Sequence, residues 1–180
     1  MNLWMARHGK TEAPSGVAIG RTDVPLAAAG RRQAAELAER LAGVPLQRIY
    51  ASDLRRSRET AERVASAHGL PVEIDADLRE LDFGAWEGRR LADLWRDSPA
   101  EAGEWESDLR RVPATFGETF AELEARVNRF AASLPRCGDA LVVAHRGSLA
   151  VLYAQLSGAS IATAWRLSFE LGGLTRLELT

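Results

Sequence analysis

Arg7 and His8 stand side by side where the apolar run Leu3 to Ala6 gives way to Gly9-Lys10-Thr11, and a second histidine, His145, ends the run Ala140 to Ala144. Arg55, Arg56 and Arg58 crowd one stretch; the acids Glu80, Asp82 and Glu87 crowd another. These types can bind and transform an anion. A guanidinium offers planar, bidentate donation to an oxyanion at any physiological pH. A neutral imidazole serves as a nucleophile or proton carrier, and a carboxyl group passes a proton to a leaving atom. Each type also has a plain structural use. An isolated Arg-His pair is most often edge polarity, an arginine run at a helix start is usually a solvated face, and a lone glutamate is usually a surface acid. Spacing alone leaves the choice within the arginine run open, and likewise the choice among Glu80, Asp82 and Glu87. His68, next to Gly69, fits a helix end.

Such groups need elements that bring them together. Leu3-Trp4-Met5-Ala6 predicts a buried strand delivering Arg7 and His8 at its carboxyl end. Ala34, Leu37, Ala38 and Leu41 recur at helical spacing, and Gly43 and Pro45 end that helix. Arg48 to Ala51 predicts a second strand. Ser52 or Asp53 is placed to cap the next helix, whose Leu54, Ala61, Val64 and Ala65 face one way until His68-Gly69 closes it. Val72 to Ile74 predicts a third strand. From Trp86 to Thr115 the pattern loosens around Pro99, Gly103 and Pro113, as expected of an insertion at about 86–115 covering one face, with Trp95 and Trp105 as core or as part of a mobile cover.

Thr115-x-x-Glu118 has capping-box spacing and predicts the start of a helix with Phe120, Leu123, Val127, Phe130, Ala131 and Leu134 in one stripe. Ala140 to Ala144 predicts a strand covered on both faces, and Gly147 to Leu156 a helix. Trp165 to Phe169 alternates as a strand that Gly172-Gly173 turns into a last one, Leu174 to Leu179. Strands alternating with helices predict an α/β three-layer sandwich with a mostly parallel sheet, the closing hairpin adding an antiparallel edge. Ligands bind beyond the carboxyl ends of such strands, where Arg7-His8 and His145 lie.

With 180 residues, 46% hydrophobic and 27% charged, the chain suits one globular domain over residues 1–180 and excludes fibres, disordered tails and channels. A net charge of -2 gives no reason to expect nucleic acid or a membrane surface as partner, so any anion site must be local. Cys137, the single cysteine, cannot form an intramolecular disulfide, and beside three histidines it is too little for a cysteine-based zinc site. Met1 to Arg7 has no basic leader and reaches Arg-His before a signal-peptide core can develop, which predicts a cytoplasmic protein. Lys10 is the only lysine, so the arginine-rich composition weakens any argument from one arginine alone.

Four segments occur in order: Arg7-His8-Gly9-Lys10-Thr11; Ser52-Asp53-Leu54-Arg55-Arg56-Ser57-Arg58-Glu59-Thr60-Ala61; Leu78-Arg79-Glu80 with Phe83-Gly84-Ala85-Trp86-Glu87-Gly88; and Val142-Val143-Ala144-His145. Together they resemble the histidine phosphatase superfamily, with its phosphoglycerate-mutase-like fold, over nearly the whole chain. The resemblance implies a small-molecule phosphomonoester substrate, His8 as nucleophile, Arg7 and Arg56 as phosphate ligands, Glu80 as proton donor, and His145 as second active-site histidine and phosphate ligand. It implies a phosphohistidine intermediate and no metal or other cofactor.

The residue types suit that chemistry. A phosphate dianion must be neutralised by fixed donors before a nucleophile approaches, and neighbouring guanidinium groups keep an imidazole neutral. Val17 to Leu26 and Leu171 to Leu177 resemble the α-ribazole phosphatase group of that superfamily. This implies α-ribazole 5'-phosphate, or the cobalamin phosphate made from it, as substrate, with a broad-specificity small-molecule phosphatase as the alternative. A phosphoglycerate mutase or a non-catalytic phosphoester-binding module fits less well. Thr11, Gly20, Arg21 and Arg146 are candidate substrate contacts. Lys10 and Arg146 depart from the family pattern: an acidic or amide residue is usual at the first position, and glycine at the second.

Overall fold

Period-two alternation along the strands sorts side chains to two faces of one sheet. In the computed structural model, which describes residues 1–100, 103–104, 117–167 and 169–179, strand β1 (Asn2–Arg7) sends Leu3 and Met5 to one core and Trp4 and Ala6 to the other. There follow α1 (Ala28–Leu41), β2 (Leu46–Ala51), α2 (Arg55–His68) and β3 (Val72–Ile74). After two single-turn 3₁₀ helices, Ala76–Leu78 and Gly84–Trp86, come α3 (Leu91–Asp97), α4 (Phe120–Ser133), β4 (Asp139–Ala144), α5 (Arg146–Ser157), α6 (Ile161–Arg166) and β5 (Leu174–Glu178).

The sheet order is β3-β2-β4-β1-β5; β5 alone runs antiparallel, against β1. Leu141 and Val143 of β4 face Leu37, Leu41, Ala61 and Val64 of α1 and α2, whereas Ala140, Val142 and Ala144 face Leu123, Val127, Leu149 and Leu152 of α4 and α5. The expected α/β sandwich, its mostly parallel sheet and its antiparallel edge are therefore present. Each of Leu141, Val142 and Val143 is wholly buried, worth about 1.5–3 kcal/mol apiece relative to exposure.

Two expected elements differ. Trp165 to Leu167 is not strand: Ser160 Oγ accepts from Thr163 N at 3.2 Å and starts α6, which carries Trp165 and packs on α5. Ser168 lies outside the described residues, and β5 joins the sheet without a preceding partner strand. The capping box before α4 is Thr119 with Glu122, one turn later than Thr115 with Glu118, because Glu118 is already engaged by Arg126. Thr115 itself lies outside the described residues, as do Trp105, Pro113 and most of the later half of the expected insertion. At an earlier helix start, neither Ser52 nor Asp53 is the N-cap of α2; Leu54 is, with Ser52 Oγ accepting from its N–H.

Candidate active site

Strand register decides where the two histidines meet. Arg7 pairs with Ala144 across adjacent parallel strands, so the next residue of each, His8 and His145, emerges at the same edge, and His8 N donates to Ala144 O at 3.1 Å. α1 and α5 leave these neighbouring strands toward opposite faces, opening the crevice in which sheets of this type bind ligands. The imidazole centroids lie 5.0 Å apart. His8 Nδ1 is 2.8 Å from Gly9 O; a carbonyl only accepts, so Nδ1 carries the proton and Nε2 keeps its lone pair. Burial, then the Arg56 and Arg7 charges, lower the His8 pKa to about 3, although the bond to Gly9 works the other way. His145 is fully buried, and burial with the Arg56, His8 and Arg7 charges holds it well below the usual imidazole range. Neither of its ring nitrogens has a hydrogen-bond partner among the described residues.

Arg56 lies on the buried stripe of α2 with Thr60 and Val64, while Arg55 turns outward to Glu59 at 2.5 Å. The Arg56 guanidinium is seated on main-chain oxygens: Nη1 donates to Thr22 O at 2.9 Å and Nη2 to Gly20 O at 2.6 Å. Arg7 Nη1 likewise donates to Phe169 O at 3.1 Å, in a turn whose Gly172 N bonds back to Arg7 O and His8 O. Burial lowers the pKa of both arginines, Glu80 opposing it most strongly in each case. At an ordinary value above 12 a guanidinium stays cationic through such a shift.

Glu80 approaches from the other side. Its carboxylate accepts from Gly147 N, 3.2 Å to each oxygen, and from Leu81 N at 2.9 Å. Gly147 is the second residue of α5, whose first N–H groups have no partner within the helix. A Cβ at Gly147 would stand inside contact distance of Glu80 Oε1 and 3.4 Å from its Cδ, so any larger residue here displaces the Glu80 carboxylate. The Glu80 main chain is held by Arg126, which is nearly buried and donates to Asp77 O, Arg79 O and Glu80 O at 2.6–3.0 Å while pairing with Glu118 at 2.6 Å.

Arg7, His8, Lys10, Thr11, Arg56, Glu80 and Arg146 share one cavity of about 390 Å³. Its apolar wall includes Val17, Ile19, Phe83, Leu91, Phe120 and Trp165; His145, fully buried next to His8, is not among the lining residues. Of the three candidate acids only Glu80 lines this cavity. Asp82 Oδ1 accepts from Gly84 N at 2.8 Å. Glu87 accepts from Gly20 N, Arg21 N, Thr22 N, Thr22 Oγ1 and Phe83 N at 2.6–3.2 Å, and these bonds lower its pKa against the pull of burial. Glu87 thus shapes the loop on which Arg56 rests.

Gly20 and Arg21, expected among the substrate contacts, do not line the cavity. Gly20 gives its carbonyl to Arg56 and packs so closely against Leu81 O that a side chain has no room, and Arg21 turns to Glu118 at 3.3 Å. Arg126 and Gly147 were not picked out from the sequence. A charged residue on the apolar stripe between Leu123 and Phe130 was the available signal for the first, and a glycine directly after a helix start for the second.

The model of the histidine phosphatase superfamily (branch 1) matches residues 3–180. The chain is 35% identical over 183 residues to the adenosylcobalamin/alpha-ribazole phosphatase of Escherichia coli (strain K12), covering 99% of this chain and 90% of that one. It resembles the crystal structure of the alpha-ribazole phosphatase from Shigella flexneri with a TM-score of 0.90 at 34% identity, covering 100% and 91% of the two chains. It also resembles a mycobacterial glucosyl-3-phosphoglycerate phosphatase, with a TM-score of 0.84 at 32% identity over 97% of this chain and 88% of that one. Among the described residues, no helix is long and apolar enough to cross a membrane.

Proposed function

The chain belongs to the histidine phosphatase superfamily and is a phosphoric monoester hydrolase, and we propose that it removes the phosphate of α-ribazole 5'-phosphate, or of the cobalamin phosphate made from it, through a phosphohistidine on His8. One observation carries the mechanism. His8 is neutral, with Nδ1 tied to Gly9 O and Nε2 free, between two arginines seated on carbonyl oxygens. Nε2 attacks phosphorus while Arg7 and Arg56 take up the charge of the phosphoryl oxygens, and neutral His145 donates its ring N–H to them.

The leaving oxygen departs with the P–O bond electrons and needs a proton. Glu80, beside Arg7 and Arg56 on the cavity wall, supplies it. Water then attacks the phosphohistidine, Glu80 takes the proton back, and the P–N bond breaks to restore neutral His8. Thr11 lines the same cavity. The apolar lining suits a flat aromatic base on the ribose.

Residues 1–180 form one catalytic domain in this reading, with about 86–115 covering the site. The described part supports it: Leu91 lines the cavity, and Trp86 and Leu94 pack with Ala18. A cytoplasmic setting agrees with the single cysteine.

Turnover of a panel of phosphomonoesters, with protein quenched during the reaction, tests the proposal. α-Ribazole 5'-phosphate should have the highest kcat/KM, and trapped phosphate should be acid-labile and base-stable. Acid-stable phosphoserine, or no label on the protein, would overturn the His8 step; another ester leading the panel would overturn the substrate.

A further inference from the structure

Arg146 goes against two electrostatic preferences at once. It is the first residue of α5, where the partial positive charge of a helix amino end disfavours a cation. It also lines the cavity that already holds Arg7 and Arg56, and its charge acts on Arg7 to loosen the Arg7 proton. No carboxylate pairs with it directly: among the described residues the Arg146 side chain makes no ion pair and no hydrogen bond, and its buried Nε has no partner. What holds it is Trp165, whose ring centroid lies 5.1 Å from the guanidinium carbon and whose place is set by α6. Stacking on an aromatic face restricts a guanidinium while leaving its in-plane N–H groups free for an anion.

The charge around the cavity is lopsided. Its described lining carries Arg7, Lys10, Arg56 and Arg146 against Glu80 alone. A phosphate dianion held by Arg7 and Arg56 satisfies those two and leaves Arg146 uncompensated. Sequences that break a local rule tend to do so where function requires it.

We infer that Arg146 is a specificity-determining residue that binds a second anionic group of the substrate, outside the phosphate being cleaved. A phosphomonoester with a second acidic group on its leaving portion then outperforms the same ester without it. This deepens the phosphomonoesterase reading and rests on it.

The test compares adenosine 5'-monophosphate with adenosine 3',5'-bisphosphate, in the wild type and in Arg146→Gln and Arg146→Lys. It reads both 5'-phosphate release and affinity by titration calorimetry. The wild type should favour the bisphosphate about tenfold in kcat/KM, mostly through KM, as one charge-assisted contact supplies. Arg146→Gln should bring that ratio to about one, and Arg146→Lys should restore part of it, since the point charge survives but the planar fork does not. A ratio within one variant cancels any general loss from altered packing on Trp165, and circular dichroism establishes that each variant folds. Equal affinity of the wild type for the two nucleotides, or a preference that persists in Arg146→Gln, would overturn the inference. If neither nucleotide releases phosphate, the enzymatic reading fails, and the calorimetric ratios still decide whether Arg146 binds a second anion.

Discussion

Replacing Gly147 by alanine separates the stability of this site from its chemistry. The new Cβ would overlap Glu80 Oε1 and stand 3.4 Å from Glu80 Cδ. Ordinary contact is about 3.5 Å, so the carboxylate must retreat by roughly 1 Å. The intruding atom meets the far end of a flexible side chain, which can swing, and alanine inside a helix is worth about 0.5–1 kcal/mol over glycine. Against that stands the bond from Gly147 N to the Glu80 carboxylate, about 1.5–3 kcal/mol for a charged acceptor. Urea denaturation should therefore show a loss of no more than about 2 kcal/mol.

The chemistry should suffer more. A displacement of about 1 Å in a catalytic group can cost roughly a hundredfold. The cost falls on proton donation, so it should appear with an alkyl phosphate, whose alkoxide cannot leave unaided, and largely vanish with p-nitrophenyl phosphate. Rapid-quench measurement of phosphohistidine formation isolates that step from hydrolysis, in which Glu80 is proposed to act as base. Equal losses on both substrates, or an alkyl phosphate turned over at the wild-type rate, would refute the assignment of Glu80 and the spatial argument behind it.

Arg56→Ala should lose about 2–4 kcal/mol of transition-state stabilisation in kcat/KM. Arg55→Ala, at an outward position, should be near neutral, and the reverse pattern would show that the arginines have been confused. Arg126→Met strands three carbonyl oxygens and leaves Glu118 with Arg21 as its remaining ion-pair partner, and a loss of about 3 kcal/mol in denaturant unfolding is expected; a change under about 1 kcal/mol would contradict the clamp. The folded His8 pKa, about 3, lies below the unfolded 6.5, so the unfolded chain binds the extra proton and stability falls as pH drops from 6.5 toward 3. At pH 5 the His8 contribution is about 2 kcal/mol, and His145 adds in the same direction. Urea midpoints at pH 7 and pH 5 measure the sum, and equal midpoints would be incompatible with two imidazoles buried neutral.

How far the sequence reveals this arrangement depends on the range of the forces involved. β1 and β4 are legible because strands buried on both faces read as continuous apolar runs, and their ends locate His8 and His145. Arg56 is legible through its motif, and its helical spacing to Thr60 and Val64 agrees. Trp165 to Phe169 misleads because five alternating residues are too few to outweigh one good cap, and Ser160 is that cap. Thr115-x-x-Glu118 and Thr119-x-x-Glu122 are equivalent locally; the tertiary pull of Arg126 on Glu118 selects the second. Gly20 and Arg21 sit beside the site in sequence, but what they offer it is backbone, fixed by Glu87 from far along the chain. Interactions made by main-chain atoms leave little trace in residue types.

The carbonyl seats of Arg7 and Arg56 also bear on how the catalytic cycle ends. An arginine paired with a carboxylate is partly discharged before any ligand arrives, whereas one resting on Phe169 O, or on Gly20 O and Thr22 O, keeps its full field for whatever enters. That field cannot tell the ester from the inorganic phosphate left behind, because both present the same oxygens. The affinity that captures substrate therefore also retains product. In the proposed cycle orthophosphate held between the two guanidinium groups competes with the next substrate, so added phosphate should inhibit turnover.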